Sequence, residues 1–170
     1  MATAFTFGSL VPEGSQAPRF ENGMLYTTEF QLTLAQTVVT GDTYTTPSGA
    51  LPSSGIRIYN IELITPPLDT NVTPTGTLAV GDSGSATRFI SGAPMGITGI
   101  TSTTYQVYNT INVAQGFTSN VVTSGNYYCY GAGTTPQLIV TVGGTIATAA
   151  AAGLVRLRVT FYCTAENAGS

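Results

Sequence analysis

An all-β fold is what this sequence predicts: a single antiparallel β-sandwich, jelly-roll-like, of about eight strands, with an extended N-terminal arm. Three observations carry that expectation. Of 170 residues, 30 are threonine and nine tyrosine, types that favour half-exposed strands. The glutamate, lysine and leucine that build exposed helix faces are scarce. Apolar and polar residues alternate with period two in runs punctuated by 20 glycines and nine prolines.

The elements follow in order. Residues 1–28 mix Pro12, Gly14, Pro18 and Gly23 with isolated aromatics and hold no sustained period. They read either as a disordered terminus or as an arm that orders on a neighbour, with Phe5, Phe7, Phe20 and Leu25 as its anchors. The sandwich is expected over 29–165, and 166–170 form a short tail. Phe30, Leu32 and Leu34 alternate with polar residues in the first strand. Residues 41–55 read as a turn-rich loop. Ile56–Ile64 is apolar on both faces, which fits a sheet centre or a bulge that switches faces. Short strands follow at 75–80 and 87–90, then an alternating run at 105–113, the Tyr127–Tyr130 segment and a strand through Leu138, Val140 and Val142. The clearest is last: Val155, Leu157, Val159, Phe161 and Cys163 point one way, and Arg156, Arg158, Thr160 and Tyr162 the other. Only Ala149–Ala152 suggests a helical turn.

Charge is sparse and it excludes much. The chain has five arginines, eight acids, no lysine and no histidine, for a net charge of −3. Without His or Lys there is no Ser-His-Asp or Cys-His triad, no Schiff-base lysine and no P-loop lysine. Nucleic-acid binding by phosphate neutralisation lacks its cations, so no nucleic-acid partner is expected. No segment is apolar for long enough to span a membrane as a helix, and no signal peptide is recognisable, so no membrane partner is expected either. A surface this poor in charge suits a chain covered by partners.

The candidate motifs resolve into structural roles. Gly81-Asp82-Ser83-Gly84 looks like a serine-protease nucleophile loop, but no histidine exists to take the serine proton. It reads instead as a turn, with Gly81 permitting it, Asp82 and Ser83 bonding to backbone amides, and Arg88 pairing with Asp82. The acids are scattered, so a glycosidase pair is not expected; Glu62 is read as the partner of Arg57, Arg156 or Arg158. Oxygen-rich loops at 69–73 and 82–85 lack any calcium-site spacing. No catalytic residue, cofactor or metal is therefore expected. Arg156 and Arg158, on one strand face, are candidate partner contacts. Tyr105, Tyr108, Tyr127, Tyr128 and Tyr130 are an alternative platform for sugars. Cys129 and Cys163 fit either a bridge between neighbouring strands or two reduced, buried side chains.

One stretch carries a family resemblance. Ile61-Glu62-Leu63-Ile64 is followed by Leu68-Asp69-Thr70-Asn71-Val72-Thr73-Pro74-Thr75. Next come Thr77-Leu78-Ala79-Val80-Gly81-Asp82-Ser83 and Ala86-Thr87-Arg88-Phe89-Ile90. This resembles small β-sandwich structural proteins of tailed bacteriophages, over roughly residues 56–163. The resemblance implies a non-enzymatic virion protein, a head decoration (cement) protein first. Such a protein is made in the host cytoplasm and sits on the outer capsid surface. It forms a homo-oligomer, a trimer favoured, and bridges copies of the major capsid protein. The alternative it leaves is a head-fibre, neck or tail component acting as a carbohydrate- or receptor-binding module.

Overall fold

The computed structural model describes residues 4–6, 8–9, 25–34, 38–53, 55–96, 106–109, 120–121, 128–131, 133–146 and 153–163. They form the strands β1 (Ala4–Thr6), β2 (Gly8–Ser9), β3 (Leu25–Leu34), β4 (Thr43–Thr45), β5 (Ile56–Thr65) and β6 (Gly76–Asp82). These are followed by β7 (Ser85–Pro94), β8 (Gln106–Asn109), β9 (Asn120–Val121), β10 (Tyr128–Tyr130), β11 (Ile139–Gly144) and β12 (Gly153–Cys163). Among the described residues there is no helix. The Ala149–Ala152 stretch lies outside them, as do Phe7 and Phe20.

Two sheets face each other. One runs β1-β4-β11-β6-β7-β9; the other runs β10-β5-β12-β3-β2, with β8 also on β5. Eight of these strands make a jelly roll: β3, β12, β5 and β10 form one four-stranded layer, and β4, β11, β6 and β7 the other. Along these eight strands the chain crosses between layers at every step except the β6–β7 hairpin. The order follows from pairing the cleanest strand at the centre: β12 takes β3 on one side and β5 on the other. Its inward residues Val155, Leu157, Val159, Phe161 and Cys163 are all buried and join one core with Ile56, Ile61, Leu63, Leu78, Val80, Val140 and Val142.

β5 contains a bulge that changes which face its residues take. Thr160 pairs with Asn60 but Phe161 pairs with Ile58, so Tyr59 is the extra residue. Ile56 and Ile58 are buried before it and Ile61 and Leu63 after it, a change of parity that keeps the apolar side chains in the core. Both sequence readings for this strand hold: it is an interior strand, with β12 on one side and β10 and β8 on the other, and it carries a bulge.

Several strand limits differ from expectation. β3 starts at Leu25, so residues 25–28 belong to the sheet, paired with β12, and the sandwich begins before residue 29. β7 is ten residues long where a four-residue strand was expected. Its second half, Ser91–Pro94, contains Gly and Pro, and it pairs with β6, Leu78 opposite Ala93 and Thr77 opposite Pro94, across a register shift at Ser91 and Gly92. The loop expected over 41–55 contains β4, whose Tyr44 is buried at 3% exposure. Three residues are too short for a periodic signal; pairing on β11 makes them a strand.

Candidate functional site

The densest polar cluster lies where β6 and β7 turn and β10 crosses beside them. Asp82 ends β6 and is nearly buried. Its Oδ1 accepts the backbone N–H groups of Gly84 and Ser85, both at 2.9 Å. Its Oδ2 accepts Arg88 Nε at 2.7 Å and the Tyr130 hydroxyl at 2.7 Å. Arg88 lies on β7 and Tyr130 on β10, so one carboxylate ties the two layers together. The Arg88 guanidinium also sits 4.1 Å above the Tyr128 ring. Phe89 and Tyr130 meet that ring edge-on, with centroids 5.9 and 4.9 Å away.

The electrostatics follow from these contacts. Burial by itself would raise the Asp82 carboxyl. The donors from Tyr130, Arg88, Ser85 and Gly84 outweigh it and hold the group below the usual aspartate range. Burial and the Asp82 carboxylate push the Tyr130 phenol upward, so it stays a hydrogen-bond donor. All four donors are structural, and none of them is a base or a nucleophile. Ser83 lies at the exposed hairpin tip.

Gly81 sits in this hairpin for reasons of space. A Cβ there would lie 2.0 Å from the Ser85 carbonyl oxygen and 2.4 Å from the Ala86 carbonyl carbon. The backbone of β7 presses on it where the β6–β7 register shifts between Val80 and Asp82. Close approach, rather than a left-handed turn conformation, requires glycine here. Gly81→Ala is expected to cost about 1–3 kcal/mol, as overpacking against backbone does, read as a fall in the urea midpoint. An unchanged midpoint would show that β7 gives way freely.

The other buried acids also brace loops. Asp69 accepts Asn71 N–H on Oδ1 at 3.1 Å, and Thr75 and Gly76 N–H on Oδ2 at 3.0 and 2.9 Å. Asp42 Oδ2 accepts Val39 N–H at 2.9 Å. Among the described residues no group of three or more His, Cys, Asp or Glu comes together as a metal site.

A second cluster covers the outward face of the β3–β12–β5 layer. Arg158, on the central strand, reaches Glu29 on β3 at 3.0 Å and Glu62 on β5 at 3.1 Å. Arg156 stands 4.0 Å from Glu29. The register places these groups side by side, Arg158 opposite both Glu29 and Glu62. A hydrogen bond from Gln31, then burial and Arg158, act on Glu29, and the balance lowers its carboxyl. Arg57 is on the same face, and its Nε donates to Cys129 Sγ at 3.3 Å. On β4, β6 and β11 of the opposite layer the described outward residues carry no charge: Thr43 and Thr45 on β4, Thr77 and Ala79 on β6, Ile139 and Thr141 on β11. Among the described residues the two layers therefore differ in outward charge, a property that single strands do not reveal because it depends on which strands share a layer.

The remaining candidates are distributed as follows. Phe5 lies on β1, and its backbone pairs with Tyr44. Cys129 and Cys163 are both free; the first is exposed and the second buried. They lie on opposite sides of β5, opposite Arg57 and Ile56, about 10 Å apart by strand spacing and beyond disulfide reach. That corrects both sequence readings, the neighbouring-strand bridge and the pair of buried thiols. Tyr130 is buried and Tyr108 donates to the Pro94 carbonyl at 2.8 Å. Tyr105 and Tyr127 lie outside the described residues.

No family model and no curated sequence matches the chain. Solved structures do. A chain of the cyanophage Pam1 capsid asymmetric unit is similar at 27% identity and a TM-score of 0.62, covering 91% of this chain and 96% of that one. A chain of the capsid of Ralstonia phage GP4 matches at 17% identity and a TM-score of 0.63, covering 94% and 97%. Both are phage capsids. The first likeness extends to sequence; the second is one of fold. The resemblance to phage structural proteins that the sequence carries is therefore present in the whole-chain fold as well.

Proposed function

We propose that the chain is a non-enzymatic phage virion structural protein, and within the virion a decoration (cement) protein that self-associates, a trimer favoured, on the outer head and bridges major capsid proteins. The observation that carries this reading is the 27% identity, over 91% of the chain, to a chain of a phage capsid. The site geometry supports it: the buried acids are spent on backbone N–H groups, arginine and tyrosine, and they brace a rigid scaffold. Attachment is then binding energy spread over several weak contacts, made durable by multivalency.

The charged face of β3, β12 and β5 is the proposed shell contact, with Arg156 and Arg158 as its cations. Charge gathered on this face orients the protein as it docks and sets register against a partner's carboxylates. Arg158 is 40% exposed, so its ion pairs add at most about 1 kcal/mol to folding. The Arg156→Ala/Arg158→Ala double variant is expected to stay folded while its occupancy on particles falls roughly tenfold, about 1.4 kcal/mol of attachment. Occupancy equal to wild type would move the contact elsewhere. The role itself is tested by adding purified protein to heads that lack it and imaging them. Density over the outer shell between capsomers is the expected result; density confined to the neck, tail or fibres would support the fibre reading instead.

A further inference from the structure

The first described residues hold the open side of the sandwich shut. β3 and β4 are the outer strands of the two jelly-roll layers on one side of the molecule. β1 pairs in parallel with β4, Ala4 opposite Thr43 and Thr6 opposite Thr45. One residue later β2 pairs antiparallel with β3, Gly8 opposite Gln31 and Ser9 opposite Phe30. β1 and β2 together form a strap between the two layers that covers β4 at Thr43–Thr45 and β3 at Phe30 and Gln31. Uncapped, each would present unpaired backbone groups to any strand that arrived. The strap and β4 hold no charged residue that would deter pairing; of the two edges only β3 carries one, Glu29.

The connection back to the sheet is much longer than the strap needs. Ser9 lies beside Phe30, so Leu25 is about 17 Å away along β3. The 16 residue steps from Ser9 to Leu25 span up to about 55 Å when extended. Reach to a neighbouring molecule of this size, whose radius of gyration is about 15 Å, is within that limit. The strap is held by backbone pairing to two edges at fixed spacing, and the surface that offers the same two edges in the same register is another copy of this chain. Exchange then alters no pairing partner and no register, and it converts an internal clasp into an intermolecular one at little cost.

We propose that this strap is exchanged between copies: residues 4–9 of one molecule pair with β3 and β4 of the next. The proposal deepens the self-association in the function proposed above but does not depend on the shell. Paired Cα positions fall within the separation a disulfide spans. In a Cys129→Ser/Cys163→Ala background, chains carrying only Ala4→Cys are mixed with chains carrying only Thr43→Cys, refolded together at high concentration and oxidised. Exchange predicts that about half of the protein becomes covalent hetero-pairs, the share that random mixing of equal amounts of the two chains allows. The Ala4→Cys/Thr43→Cys double variant then gives multimeric products on a non-reducing gel. Monomeric closure of the double variant, with no hetero-pairs from the mixture, overturns exchange. Lack of both products shows that the β1–β4 register is not occupied and overturns it too. Sedimentation of the same samples reports self-association separately, so an oligomer with in-chain straps removes the exchange and leaves the decoration role standing.

Discussion

Asp82→Ala lowers the stability of the sandwich by about 3–5 kcal/mol, the cost of removing one partner from a buried, hydrogen-bonded ion pair. The change strands the Arg88 guanidinium against the Tyr128 ring and leaves the Tyr130 hydroxyl without its acceptor, and the Gly84 and Ser85 amides lose theirs. For a chain of this size the melting temperature falls by roughly 10 °C or more. Tyr130→Phe keeps the ring and removes one donor to a charged group, and it costs a smaller 1.5–3 kcal/mol or so. The pH dependence has a defined sign. The folded carboxyl lies below its ordinary value near 3.8. Its contribution is therefore complete above that value and fades as pH falls through the lower folded one. Urea unfolding of wild type and Asp82→Asn should show a large difference at pH 7 that shrinks below about pH 4. A difference independent of pH would mean that the ionised carboxylate is not what holds the layers together.

Phe161→Ala is expected to cost about 3–5 kcal/mol, through lost burial and the cavity that remains. Phe161 is wholly buried on the central strand and stacks with Tyr26 at 5.9 Å. It also sits at the bulge, where its pairing with Ile58 sets the face taken by the first half of β5. The hole cannot close by sliding β12, because the register on both sides would have to change. Phe161→Leu retains most of the volume and should recover at least half of the loss. Equal losses for the two substitutions, measured by denaturant midpoint, would show that ring stacking rather than volume is decisive.

The central strands were readable because burial on one face imposes period two. β12 alternates over its full length, and so does β11 through Val140 and Val142. Strands whose existence depends on a neighbour were not readable. β4 has one buried side chain between two threonines. The continuation of β7 through Ser91–Pro94 carries Gly and Pro, and its local composition resembles a loop; pairing with β6 makes it strand. The Gly81–Arg88 segment was legible as a turn, because Gly, Asp and Ser at such a point have few other uses. Its link to Tyr130 was not, since 48 residues separate Tyr130 from Asp82. Glu62 was expected beside one of three arginines, and only register singles out Arg158.

By itself the sequence determined the class and much of the chemistry. Threonine-rich alternation predicts a sandwich with an apolar interior, and the lack of histidine and lysine removes whole families of mechanism; both are local or compositional properties. Only the tertiary structure decided how the few charges are shared out. Arg57, Glu29, Glu62, Arg156 and Arg158 lie on three strands far apart in the chain, and jelly-roll order sets those strands side by side in one layer. The same order leaves the outward residues of β4, β6 and β11 neutral. Alternation tells each strand which side faces water; pairing between distant strands decides what stands beside it there.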